Sequence, residues 1–153
     1  MKIISHRGNL NGQESSNENT INAIKNCISL GLDCEIDIWC INSKIYLGHD
    51  SPETLIEDDF IYQYKENLWI HCKNIDAITW CETYKKNGLN YFWHESDTLT
   101  LTSNGKIWAY PGKQPIKNSI AVMPEIHNEV NLDQCYGICS DFPLYYKDKY
   151  ENI

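Results

Sequence analysis

Two carboxylates lie two positions apart in Cys34-Glu35-Ile36-Asp37-Ile38, and no other stretch of the chain carries a sharper chemical signal. Residues i and i+2 of a strand project to the same face. Glu35 and Asp37 then stand side by side, while Cys34, Ile36 and Ile38 pack on the other face. Two carboxylates on an otherwise apolar strand repel each other and are costly to bury. A hard divalent cation removes that repulsion and prefers oxygen ligands. The competing explanation is an amphipathic strand with a solvated face. His6 and His49 tilt the balance toward chemistry. Each closes an expected strand and lies close to a glycine, in His6-Arg7-Gly8 and Gly48-His49-Asp50. Imidazole is the side chain best matched to proton transfer near neutral pH. A pair of them can divide the work, one taking a proton from a nucleophile and one giving a proton to a leaving group. Arg7 adds a planar, permanently charged donor suited to a phosphoryl oxygen.

The elements that would position these groups alternate along the chain. Lys2 to Ser5 reads as a strand running into His6, and Asn9 to Asn17 as a polar loop. Glu18 to Leu30 has helical spacing, with Ile21, Ile24 and Ile28 recurring at three and four. Asn17 is the expected N-cap and Gly31 the stop. Leu32 to Ile41 alternates as a strand does. Asn42-Ser43 then turns the chain into Lys44 to Leu47. Ser51 to Glu66 reads as a loop with a short helix, Asn67 to Cys72 as a strand, Ile75 to Asn87 as a helix and Leu89 to His94 as a strand. Beyond Glu95 the helical signal fades, leaving short strands at Leu99 to Leu101, Ile107 to Tyr110, Ile120 to Met123 and Tyr136 to Cys139. Strand-helix-strand order with glycine-terminated helices indicates an α/β fold with a parallel sheet, whose C-terminal strand ends line the site. A complete (β/α)₈ barrel typically takes about 200 residues or more. The expected architecture of this 153-residue chain is therefore a reduced or truncated TIM-type barrel with few helices in its C-terminal half. Residues 1–153 are expected to form a single domain.

Taken in order, the motifs resemble those of the glycerophosphodiester phosphodiesterase family, within the wider group of phosphatidylinositol-phospholipase-C-like barrels. The likeness runs from His6-Arg7-Gly8 through Glu18-Asn19-Thr20, with Ala23-Ile24 in the following helix, to Gly31, Glu35-Ile36-Asp37 and Gly48-His49-Asp50. It spans about a third of the chain. A fainter echo comes at Gly137-Ile138-Cys139-Ser140-Asp141-Phe142-Pro143, which looks like the family's closing strand and turn. The resemblance implies general acid and base roles for His6 and His49, a phosphate contact for Arg7, and Mg²⁺ or Ca²⁺ held by Glu35 and Asp37. It also implies attack on phosphorus by the substrate's own neighbouring hydroxyl, giving a cyclic phosphate that water later opens. Glu18 is expected to orient the loop or the first helical turn rather than bind metal.

The sequence departs from the family pattern in the third strand, Trp69-Ile70-His71-Cys72-Lys73-Asn74. Lys73 falls where the family's phosphate-contacting Lys stands, and His71 takes the place of a metal-binding Glu. A nitrogen ligand there would make Mn²⁺ or Zn²⁺ easier to accept. The alternative for His71 is a hydrogen-bonded core residue. His94 and Glu95 follow the next strand, and either a site role or a loop role fits them. Trp108, with Tyr110 and Pro111 behind it, is a candidate pocket wall, although such aromatics are more often core. Glu125 and His127 read as surface residues, and Asp141 as the cap of the last turn.

Composition limits the alternatives. The net charge is −8, and without a basic cluster a nucleic-acid surface is not expected. Seven Cys at irregular spacing, without a CxxC pair, read as small buried hydrophobes in a reducing compartment. No run approaches membrane-spanning length and no signal peptide stands out, so a cytoplasmic protein without stable membrane insertion is expected. The expected activity is metal-dependent hydrolysis of a small glycerophosphodiester-like substrate, a lipid-metabolism type of reaction. Two alternatives stand beside it. The sphingomyelinase D type shares the His pair and the Glu-x-Asp set, and a non-catalytic phosphate- or metal-binding module would use the same pocket.

Overall fold

The computed structural model describes residues 1–151. Its ten strands and four α-helices form a mixed α/β fold around one curled sheet. The strands are β1 (Lys2–His6), β2 (Asp33–Ile41), β3 (Lys44–Leu47), β4 (Thr54–Ile56), β5 (Leu68–Cys72), β6 (Tyr91–Phe92), β7 (Leu99–Leu101), β8 (Ile107–Ala109), β9 (Ser119–Val122) and β10 (Gly137–Ser140). The helices are α1 (Ile21–Ser29), α2 (Asp58–Tyr64), α3 (Ile75–Thr83) and α4 (Pro143–Glu151). A parallel run passes through β6, β5, β2, β1, β10, β9 and β8. β7 pairs antiparallel with β8, and the β3–β4 hairpin extends the far half of β2.

Strand alternation sorts the side chains into two cores. Cys34, Ile36 and Ile38 of β2, with Leu68, Ile70 and Cys72 of β5, pack outward into the larger cluster, which also takes Ile24, Cys27, Ala77 and Cys81 from α1 and α3. Inside the curl lie Ile4, Trp69, Phe92, Trp108, Ile120, Val122 and Cys139. Trp108 stacks on Phe92 with ring centroids 4.4 Å apart, which brings β8 against β6 across the interior. The Ser103 amide donates to the Tyr91 carbonyl at 2.8 Å on the same side. All seven Cys are free and buried, as expected of small hydrophobes.

Several local features differ from the sequence reading. Helix α1 is capped by Thr20, whose Oγ1 accepts from the Ala23 amide at 3.1 Å, and not by Asn17. Asn19, immediately before the cap, takes a left-handed conformation at φ 54°. Helix α3 ends at Thr83, and only a separate 3₁₀ turn follows at Lys85–Asn87. Helix α4 was not legible, because its residues carry almost no amphipathic periodicity. It packs against β1 and β10 mainly through Leu144, Tyr146 and Tyr150. Among the described residues, no helix is long and apolar enough to cross a membrane.

One glycine fixes the approach to the site. Gly48 has φ 146°, and a Cβ there would collide with the Ser51 carbonyl oxygen. Its own carbonyl accepts from Trp39 Nε1 at 2.7 Å, which ties the turn before His49 to β2. Gly48→Ala should therefore destabilise the fold by about 2 kcal/mol or more and displace His49. Urea denaturation measures the first effect, and the chemical shifts of the His49 ring report the second.

Candidate active site

Side chains at the C-terminal ends of the parallel strands converge on one pocket of about 300 Å³. Its lining includes His6, Arg7, Glu35, His49, His71 and Asp141. The sheet register explains the convergence, since His6 pairs with Glu35 across β1–β2 and Asp37 with His71 across β2–β5. Glu35 and Asp37 do not face bulk solvent: Glu35 is 2% exposed and Asp37 0%.

Asp37 organises the site. Its Oδ2 has three nitrogens against it: Asn19 Nδ2 at 2.9 Å, Arg7 Nε at 3.1 Å and His49 Nδ1 at 3.1 Å. Asn19 also accepts from the Asp37 amide at 2.9 Å, so one side chain holds both ends of the residue. Oδ1 is different. It lies 2.8 Å from His71 Nδ1 and 3.6 Å from Lys73 Nζ, yet it is buried without an aligned hydrogen bond. Burial pushes Asp37 toward its neutral form, but its contacts with His49 and His71 and the nearby Arg7 charge hold it well below the usual carboxylate range. Glu35 goes the other way, raised by burial and by the neighbouring Asp37 charge. Its Oε2 accepts from the Arg7 amide at 3.2 Å.

Arg7 is threaded through the whole arrangement. Its backbone is left-handed at φ 54°, and the turn is held by the Asn19 amide donating to its carbonyl at 2.9 Å. Nη1 meets Glu18 Oε2 at 3.3 Å and Nη2 lies 3.1 Å from His49 Nε2. Glu18 also accepts from Asn9 Nδ2 at 2.8 Å, which is the loop-orienting role expected of it. Lys73 Nζ sits 3.4 Å from His49 Nδ1. The two candidate proton-transfer His are thus each held at Nδ1 by a carboxylate, His49 by Asp37 and His6 by Asp141 Oδ1 at 2.8 Å. That arrangement leaves Nε2 as the reactive nitrogen of each ring. Burial opposes a charge on His6, but the Asp141 hydrogen bond and the Glu35 charge outweigh it and raise its pKa.

Glu35, Asp37 and His71 each offer a ligand atom, and these atoms lie within 4.8 Å of one another. A divalent cation fits this set: two carboxylates at close quarters, one buried oxygen without a hydrogen bond, and an imidazole facing it. His71 is a packed residue as well as a ligand candidate, with its ring stacked on Phe92 at 5.0 Å and on His94 at 4.4 Å. Burial and the nearby His71 and Lys73 charges push His94 down to about 4, and its ring nitrogen meets the Tyr110 hydroxyl at 2.9 Å. Glu95 is absent from this pocket's lining and borders a neighbouring one, beside Lys73 and Trp93.

Two residues need correcting. Asp141 is no simple turn cap, because it holds His6 and accepts from Asn9 Nδ2 at 2.8 Å. Glu125 is not a free surface acid. Its Oε1 accepts from Ser140 Oγ at 2.8 Å and from the Asp141 amide at 3.3 Å, and its Oε2 from the Tyr146 hydroxyl at 3.3 Å. Neither partnership could be read locally, since each joins segments distant in sequence. The paired Ser-Asp at the end of a strand was the available hint for Asp141.

No family model, curated protein or solved structure matches this chain.

The His6–Asp141 pair predicts a specific pH dependence. The raised pKa of His6 means its contribution is complete below the unfolded value of about 6.5 and is lost as pH rises through the higher folded value. Asp141 is lowered by His6 and Asn9 against the effect of burial. Its contribution is present above about pH 3.9 and is lost as pH falls through the lower folded value. Asp141→Asn should therefore cost about 2 kcal/mol between roughly pH 4 and 6.5, with a smaller gap on either side. Urea titrations of both proteins across that range measure the gap.

Proposed function

We propose that this chain is a metal-dependent phosphodiesterase built on a reduced (β/α) barrel of the TIM type, acting on a glycerophosphodiester-like substrate. The observation that carries the reading is one pocket lined by Glu35 and His71, with the buried Asp37 beside them, by two carboxylate-held imidazoles and by Arg7. A metal-binding module would need the ligands, but it has little need for two imidazoles each held at Nδ1.

In this reading the phosphoryl group sits between the ligand cluster and the cations of Arg7 and Lys73. Glu35, Asp37 and His71 would hold the divalent cation, which would supply charge stabilisation at the phosphoryl oxygens. Mg²⁺ or Ca²⁺ suits the carboxylates, and the His71 nitrogen extends the choice to Mn²⁺ or Zn²⁺. His49 is the base. With Nδ1–H donated to Asp37, its lone pair lies on Nε2, beside the Arg7 guanidinium. It takes the proton from the substrate hydroxyl neighbouring the phosphate as that oxygen bonds to phosphorus. His6, held charged by Asp141, gives its proton to the departing alkoxide as the P–O bond breaks. Water then opens the cyclic phosphate with the two roles exchanged.

Purified protein supplied in turn with Mg²⁺, Ca²⁺, Mn²⁺ or Zn²⁺ is expected to cleave at least one member of a diester panel that includes bis-p-nitrophenyl phosphate and glycerophosphocholine. Failure with every metal and substrate overturns the reading. His49→Ala should lose turnover by ~10²-fold or more. The same variant should still bind the cation in calorimetry, because His49 is not among the ligands. His71→Ala should instead weaken cation binding directly.

A further inference from the structure

The pocket has two unlike halves. Apart from Gln13 and the Tyr110 phenol, its polar groups belong to the half described above, whereas Trp108, Pro111, Val122, Met123 and Ile126 form an apolar side carried by β8, β9 and the turns that follow them. Resting on the phosphodiesterase reading, we infer that this apolar side receives the leaving alcohol and that the alcohol carries an aliphatic chain.

The competing arms fit less well. A cationic headgroup would need a carboxylate or an open aromatic face on that side. Asp141 is engaged by His6 and Asn9, and Trp108 is 3% exposed with its ring packed on Phe92 and on Trp69, at centroid distances of 4.4 and 5.9 Å. The same packing closes the Trp108 ring to a planar aromatic arm. A polyol would have to lose water against Val122, Met123 and Ile126 with few polar partners in return. The Tyr110 hydroxyl, one of the few candidates, is engaged by His94.

The wall is built rather than incidental. It is carried by the 3₁₀ turn Pro124–His127, flanked by Met123 at φ 46° and Asn128 at φ 49°, both left-handed. For Met123 that conformation is strained, and the surrounding bonds must enforce it. The Met123 amide donates to the Cys139 carbonyl at 2.7 Å, and Glu125 is fastened to Ser140, Asp141 and Tyr146. Ile126 is left 54% exposed at the pocket, and the flexible Met123 side chain can follow a chain laid against it. Glu125 joins this turn to the backbone of Asp141, which holds His6. The apolar wall and the proposed proton donor to the leaving group therefore share one support, and this places the aliphatic arm on the leaving side.

The test is a series of glycerol-3-phosphoalkyl esters with methyl, butyl, hexyl and octyl leaving groups, assayed below their micelle concentrations, with glycerophosphocholine for comparison. The value of kcat/KM should rise by about fourfold for each methylene buried and level off once the chain passes Ile126. Ile126→Asp should cut the octyl-to-methyl ratio by about tenfold. A flat series, or glycerophosphocholine cleaved better than the octyl ester, overturns the inference. If no diester is cleaved at all, the phosphodiesterase reading fails. Calorimetry then decides the wall on its own: octyl phosphate binding at least tenfold tighter than methyl phosphate supports it, and equal binding overturns it.

Discussion

A carboxylate with no exposure needs compensation, and Asp37 obtains it from the ends of β1, β3 and β5 and from the loop before α1. The left-handed turns at Arg7 and Asn19, the bend at Gly48 and the end of β5 are all arranged so that a nitrogen reaches this one side chain. Removing any partner leaves a buried charge short of compensation, which is far costlier than losing a surface pair. The two oxygens of Asp37 are treated differently. Oδ2 anchors the protein's own groups, while Oδ1 is left beside His71 and Glu35 without an aligned donor. The structural and the proposed ligand functions of the residue are thus separated onto two atoms.

That separation also explains why Glu35 and Asp37, two residues apart on the same strand face, differ in proton affinity. Each is buried, and burial alone would raise both. The nitrogens gather around Asp37, so Asp37 keeps its charge, and its charge is then part of what raises Glu35. A cation between them would lower both. Pairs of titratable groups driven apart by their surroundings are common where proton or ligand chemistry is done, although structural networks also produce them.

Much of this arrangement could be read from the chain, because His6 and His49 sit at strand ends with a glycine nearby and Glu35 and Asp37 alternate onto one strand face. The alternation of β2 fixed the shared face of Glu35 and Asp37, and the His6, His49, His71 and Lys73 positions follow from where β1, β3 and β5 stop. The interactions that were missed are of another kind. Asp141, Glu125 and Asn19 act through partners 135, 15 and 18 positions away, and no local periodicity encodes such pairs. Helix α4 escaped for a similar reason: it is held by contacts with β1 and β10 rather than by an amphipathic stripe of its own. Thr20 took the cap from Asn17 because Asn19 is bent left-handed to reach Asp37, which delays the start of the helix.

The C-terminal half raises a question of closure. Helices there are few and β6 contains only two residues, so backbone pairing contributes little where β6 approaches β8. Aromatic packing takes its place, running from Trp69 and Trp108 through Phe92 to His71 and His94. Such rings add burial and favourable ring geometry in a region too short for a ladder. His71 stands at the end of this packing and beside Asp37. The imidazole that faces the carboxylates is therefore oriented by the rings that hold the curl together. A Glu at this position could supply another oxygen to a cation, but it could not join the stack. The imidazole at position 71 meets the packing requirement directly, and in the proposed site the same ring would face the cation.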